Sequence, residues 1–406
     1  MKILLINQAF VSPDEPGHTR HYELAQYLRQ QGHELVIVGS DLNYQTGQRI
    51  VQHRGLSVDQ DIKGVHVVRA YIFPALHRSY FWRIVSFMSF MLSSVITSLR
   101  VKGVDLVMGT TPPIFQAVSV WLISWIRRKP FLLEVRDLWP EFGVSMGVLK
   151  NPMIIQLARW LEKFLYARAD KILVNSPAYV EYMVNIGVEA QKIAYIPYGT
   201  DLEMFNPRVK GASFRVKHGL ATKFVVLYAG ALGQANDIYT LLRAASRMKS
   251  ENHICIVLLG DGKEKENLQA EAHRQSLENV IFASAIPKKE MPQAVAGADV
   301  CLAILQDIPM FRTTYPNKVF DYMAAGKPTV LVIDGVIRRV IETSGGGVYV
   351  PPGDDASLAK CLIELAHNPQ SINQMGAAAR KYMVENMDRH DKMAETMDLM
   401  LGLVQK

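Results

Sequence analysis

Three cysteines in 406 residues, Cys255, Cys301 and Cys361, lie far apart, with no CxxC pair. That scarcity argues against a disulfide framework or a thiolate-built zinc centre, and it fits a reducing compartment. Short repeats and low-complexity segments are missing as well. The N-terminal run Met1 to Ile6 is too short for the apolar core of a secretory signal, so it reads as a first buried strand and the protein is expected on the cytoplasmic side. Charged residues make up 20% of the chain and apolar ones 49%, an ordinary globular balance that excludes pervasive disorder, a rod or a collagen-like fibre. At about 150 residues per domain, the length implies two or three domains.

What the chain does carry is positive charge, a net +7 with a pI near 9.1. A basic protein suits a negative partner: nucleic acid, an anionic membrane or a phosphorylated substrate. The basic residues are dispersed and no nucleic-acid motif is present, which leaves the membrane and the phosphorylated substrate.

Short apolar runs alternate with helical spacing along the whole chain. In the first half they cover 2–7, 34–39, 65–70, 104–109, 130–135 and 171–175; in the second, 224–229, 254–259, 279–283, 299–304, 328–333 and 347–350. Such runs predict parallel strands covered on both faces, so the fold class is α/β, with two doubly wound Rossmann-like domains. Pro207 and Gly211 interrupt both periodicities, dividing the chain into 1–205, 206–387 and a last helix, 388–406, expected to return to the first domain. Ligands of such sheets bind beyond the carboxyl ends of the strands, which predicts an active site in a cleft between the facing domains.

Four stretches carry chemistry. Gly17-His18-Thr19-Arg20 joins the first strand to a helix, where a glycine lets backbone approach an anion. Gly260-Asp261-Gly262 follows the 254–259 strand; it suits a nucleotide-side turn and equally a plain strand-to-helix turn. Pro316-Asn317-Lys318 opens a helix with Asp321 one turn on, converging a donor, a cation and the helix dipole on one place that suits a diphosphate. Glu134-Val135-Arg136-Asp137 follows Phe131-Leu132-Leu133, either facing the cleft or forming a structural Arg136–Asp137 ion pair.

Tyr198-Gly199-Thr200-Asp201 with Phe205-Asn206-Pro207 resembles the interdomain signature of family 4 glycosyltransferases. The 260–262 turn, the block from Pro316 to Pro328 and the block from Gly345 to Asp354 look like that family's later motifs. Thr111-Pro112-Pro113 and the Glu134 to Pro140 run resemble a branch found in capsule, exopolysaccharide and O-antigen clusters. The resemblance implies a GT-B fold and a retaining, metal-independent transfer from a UDP-sugar, without a cofactor, of a hexosyl or N-acetylhexosaminyl group. It also implies a polyprenyl-diphosphate-linked acceptor. On this basis Asp321 holds the ribose, Gly17 approaches the diphosphate and Asp137 lies beside the usual catalytic position. Three positions depart from the pattern: Thr313 replaces the first acid of an E-x7-E motif, and Ala231 and Asn236 stand where an Arg and a Lys grip the diphosphate. Lys318, Arg312 and the helix start at Asn317 are the expected substitutes. A UDP-N-acetylhexosamine epimerase and a non-catalytic partner in polysaccharide assembly are the alternative readings.

Ile84 to Leu99 is uncharged between Arg83 and Arg100, and Ile114 to Ile126 ends in Arg127-Arg128-Lys129. At about 1.5 Å per residue the first run falls short of a bilayer. Either these helices cover the sheet, or they lie against an anionic inner membrane surface, with Arg78, Arg83, Arg100 and Lys102 at the headgroups.

Overall fold

Parallel strands with both faces covered need side chains that are apolar almost without alternation, and the expected runs form such strands. The computed structural model describes residues 1–15, 19–44, 47–75 and 80–405. Contacts divide it into two units: Met1–Pro197 with the residues from Met393 onward, and Tyr198–Lys392.

Unit 1 contains β1 (Lys2–Ile6), β2 (Glu34–Ser40), β3 (Ser57–Ile62), β4 (Val65–Ala70), β5 (Leu106–Thr111), β6 (Phe131–Val135), β7 (Lys171–Val174) and β8 (Ile193–Tyr195). They form one sheet in the order β3-β4-β2-β1-β5-β6-β7-β8, parallel except for the β3–β4 pair. The sequence reading anticipated six strands here. Both additions are sheet edges: β3 is polar and half-exposed, and β8 has only three residues. Neither buries enough apolar surface to leave a run. β3 is joined to β4 by Lys63 and Gly64, both at positive φ (52° and 83°), the backbone a two-residue hairpin requires.

Unit 2 contains β9 (Phe224–Ala229), β10 (Ile254–Leu259), β11 (Val280–Ala283), β12 (Val300–Ile304), β13 (Thr329–Val332) and β14 (Gly347–Tyr349). Its all-parallel order, β11-β10-β9-β12-β13-β14, reverses direction between β9 and β12. Ligands of open α/β sheets bind outside the carboxyl ends of the strands at such a reversal.

The last helix, Arg389–Val404, starts in unit 2 and ends in unit 1, where Met400 and Leu403 are buried in the cluster that holds Ile3, Leu5 and Leu28. The contacts draw the division at 197/198 and 392/393, ahead of 205/206 and beyond 387/388. Thr200 pairs with Asp388, and its N–H donates to the Met387 carbonyl, which binds both segments to unit 2.

Candidate active site

In unit 2, two turns run side by side at the carboxyl ends of β9 and β10. Gly230 N–H donates to Leu259 O, and Leu232 N–H donates to Asp261 O at 2.8 Å. A Cβ at Gly260 would stand 1.9 Å from Gly230 O, and one at Gly262 would stand 2.3 Å from Leu232 O. The glycines at 260 and 262 are therefore required by contact between the protein's own turns. Asp261 is exposed and turns back on Gly262 N–H and on Lys265.

The helix Asn317–Ala324 begins at Pro316, whose missing N–H costs nothing at a helix start. Lys318, on its first turn, reaches to the end of β9. Its Nζ lies 4.1 Å from the centre of the Tyr228 ring, and a Cβ at Gly230 would meet it at 2.3 Å. Among the described residues the ammonium has no hydrogen-bond or ion-pair partner. Lys318 is partly exposed, and desolvation by the surrounding protein pulls its ammonium down to about 7. A cation thus sits at the sheet's reversal point with a π face beneath it and no anion beside it.

The other expected residues are placed as follows. Asp321 accepts a hydrogen bond from Thr200 Oγ1 at 2.5 Å, which fixes its carboxylate. Asn317 makes no side-chain hydrogen bond among the described residues. Arg312 is exposed and paired with Asp307 at 2.9 Å and Asp334 at 4.0 Å, so carboxylates already neutralise its charge; the cation is Lys318. Thr313 donates to Met310 O, closing a short helical turn in place of an acid. Gly17 lies outside the described residues.

Unit 1 carries a second polar group at the carboxyl ends of β1 and β6. Glu134 is 3% exposed and accepts from Arg20 at 2.7 Å and from His21 Nε2 at 2.9 Å. His21 Nδ1 is 2.8 Å from the Asn7 amide. Burial, with Arg20 adding to it, lowers His21 to about 4 against the pull of Glu134, so the ring is neutral near pH 7. Burial alone would raise Glu134, but Arg20, His21 and Arg136 outweigh it and hold the carboxylate below its usual range. With both ring nitrogens engaged, His21 orients the carboxylate. Asp137 differs: burial pushes its carboxyl up, Arg136 opposes this only in part, and it has no hydrogen-bond partner among the described residues. It is the group here with capacity to accept a proton.

Sequence reasoning passed over Asn7, His21 and Glu134 as a set. Glu134 stood in a quoted stretch, but its charge signalled a paired structural acid as readily as a functional one. Only strand order shows that β1 and β6 flank β5 and converge on it. A different trio, Glu251, His253 and His367, brings three ligand atoms within 4.8 Å of one another. The sequence reading expected no metal site. This trio lies by the start of β10, at the opposite end from the Lys318 group.

Known proteins match along both units. The family model described as a glycosyl transferase 4-like domain covers residues 17–199, and that of the glycosyl transferases group 1 covers 223–368. A relative from Pseudomonas aeruginosa, "Probable glycosyltransferase WbjE", is 26% identical over 75% of this chain and 76% of its own. WcaI of Escherichia coli strain K12, named for glycosyl transfer in colanic acid biosynthesis, is 21% identical over 96% of this chain and 97% of its own. Among solved structures, Anabaena HepE in complex with UDP superposes with a TM-score of 0.73 at 18% identity, covering 99% of this chain and all of its own. HepE with UDP-glucose gives 0.72 at 18% identity, covering 98% of this chain and 99% of its own.

Proposed function

We propose, from the premise that this chain belongs to the family 4 glycosyltransferases and has their GT-B fold, that it moves a sugar from a UDP-sugar to a lipid-linked acceptor. The product belongs to a surface polysaccharide, and the anomeric configuration of the sugar is retained. The HepE complexes with UDP and UDP-glucose support the nucleotide, and the names WbjE and WcaI support the polysaccharide setting.

One observation carries the reading: the Lys318 ammonium at the reversal between β9 and β12, which has no ion-pair partner among the described residues. As the anomeric C–O bond breaks, negative charge grows on the leaving diphosphate. A preorganised cation and the helix-start N–H groups stabilise that charge without a metal. Lys318 thereby supplies, from the 317–324 helix, what Ala231 and Asn236 lack. Asp321, fixed by Thr200, accepts from the ribose hydroxyls. The acceptor oxygen bonds to the anomeric carbon while its proton passes to a phosphate oxygen of the leaving UDP.

The test is transfer from a panel of UDP-sugars to extracted lipid acceptors, with and without EDTA, the product's anomeric proton read by NMR. Retained configuration and undiminished activity in EDTA are expected. Inversion, or a strict demand for a divalent ion, overturns the mechanism.

A further inference from the structure

The Tyr80–Arg100 helix of unit 1 is built inside out. Around the buried Phe90, its inner side is a row of small polar residues, Ser86, Ser93, Ser94, Thr97 and Ser98. Ser86 donates to Phe73 O, Ser93 to Tyr71 O and Ser94 to Ser119 Oγ. Its outward side presents Phe81, Met88, Leu92, Ile96 and Leu99, the spacing of one helical stripe. An ordinary surface helix does the reverse: Ile238–Arg247 buries Ile238, Leu241, Leu242 and Ala245 and turns Arg243 and Arg247 outward.

Two neighbouring helices extend this surface. Ile114–Arg127 packs beside it through Phe87 against Phe115, and Arg127 donates to the carbonyls of Ser98 and Leu99. Pro152–Arg168 follows, through Trp121 against Phe164. The second helix exposes Trp125 at 68%; the third exposes Met153 at 76%, Leu157 at 63% and Trp160 at 60%, again at helical spacing. The three helices contain a single carboxylate, Glu162, and it is buried. Their cations are Arg83, Arg100, Arg127, Lys163 and Arg168, with Arg159 neutralised by Glu141 at 2.7 Å, and Arg128 and Lys129 follow the second helix directly.

We infer that these three helices form one insertion face for an anionic lipid leaflet. A large exposed apolar patch marks an interaction site. The absence of exposed carboxylates and the cationic margin select a negatively charged occupant. Tryptophans with aliphatic residues beneath a cationic rim suit the headgroup boundary. At about 32 Å the 21-residue first helix is long enough to span, but its serine side is bonded into the unit, so it lies flat with only the outer stripe in lipid. The inference deepens the lipid-linked acceptor reading and rests on it for its purpose, though not for its geometry.

The test uses the full chain with vesicles of phosphatidylcholine alone or mixed with phosphatidylglycerol, read by sedimentation and by the blue shift of tryptophan emission. Binding to the anionic vesicles alone is expected. The triple variant Leu92→Gln, Leu157→Gln, Trp160→Gln should partition about a hundredfold less at unchanged thermal stability, because only exposed side chains are altered. Equal binding by the variant, no binding by the parent chain, or a dimer in solution that the variant disrupts would each overturn the inference. Transfer to a short-chain soluble acceptor separates the two claims. Lost vesicle binding with intact transfer removes only the insertion face, and intact binding with no transfer removes only the catalytic reading.

Discussion

Lys318 is a partly desolvated amine with no carboxylate partner among the described residues, and that has a definite pH signature. Its ordinary value is 10.5 and in the folded protein it is near 7. Between those values the unfolded chain holds a proton that the folded one does not, so this group makes stability rise with pH across the window and leaves it flat below about pH 7. UDP favours the charged form. Above pH about 7 binding must therefore take up a proton, and affinity should drop about tenfold per pH unit. Calorimetry in two buffers of different ionisation enthalpy measures that uptake directly. Gly230→Ala is a second probe, since a methyl there collides with Nζ and strains a backbone at φ +153°; the donor KM should rise by at least tenfold with no new charge introduced. In the other unit, Asp137→Asn should lower kcat and leave the donor KM unchanged. Glu134→Ala should instead cost about 3 kcal/mol of stability in denaturant unfolding, because it removes the buried carboxylate that pairs with Arg20 and accepts from His21.

At the scale of elements, what could be read from sequence was what periodicity encodes. Every buried strand from β1 to β14 left an apolar run, and the helix at 317–324 announced itself by Pro316 and Gly326. The polar edge β3 and the three-residue β8 left none. Ser86, Ser89, Ser93 and Thr97 make a weakly polar stripe in the sequence, but periodicity is silent on which side of a helix faces in. For the Tyr80–Arg100 helix the polar side does, because Ser94 and Ser119 allow close approach to Ile114–Arg127 and bond to each other at 3.0 Å. Ser94→Leu should therefore overpack this seam and destabilise the protein by about 1–3 kcal/mol, measured by thermal unfolding. A serine on a solvated face would tolerate the change.

For the whole molecule, two doubly wound units with a returning last helix followed from alternation of runs and from family-like motifs. The site was legible where a single helix carries it, at Asn317, Lys318 and Asp321. It was not legible where chain-distant residues meet, as with Asn7, His21 and Glu134, or where a neighbour takes up a charge, as Asp307 does for Arg312. The central claim is that one unpaired lysine replaces the usual pair of cations at the leaving diphosphate. Calorimetric titration of UDP into the parent chain and Lys318→Met at pH 6.5 and 8.5 tests it most directly. The account predicts tight binding to the parent at the lower pH, about 25-fold weaker binding at the higher, and weak, pH-independent binding to the variant. Equal affinity for both chains at both pH values would contradict it.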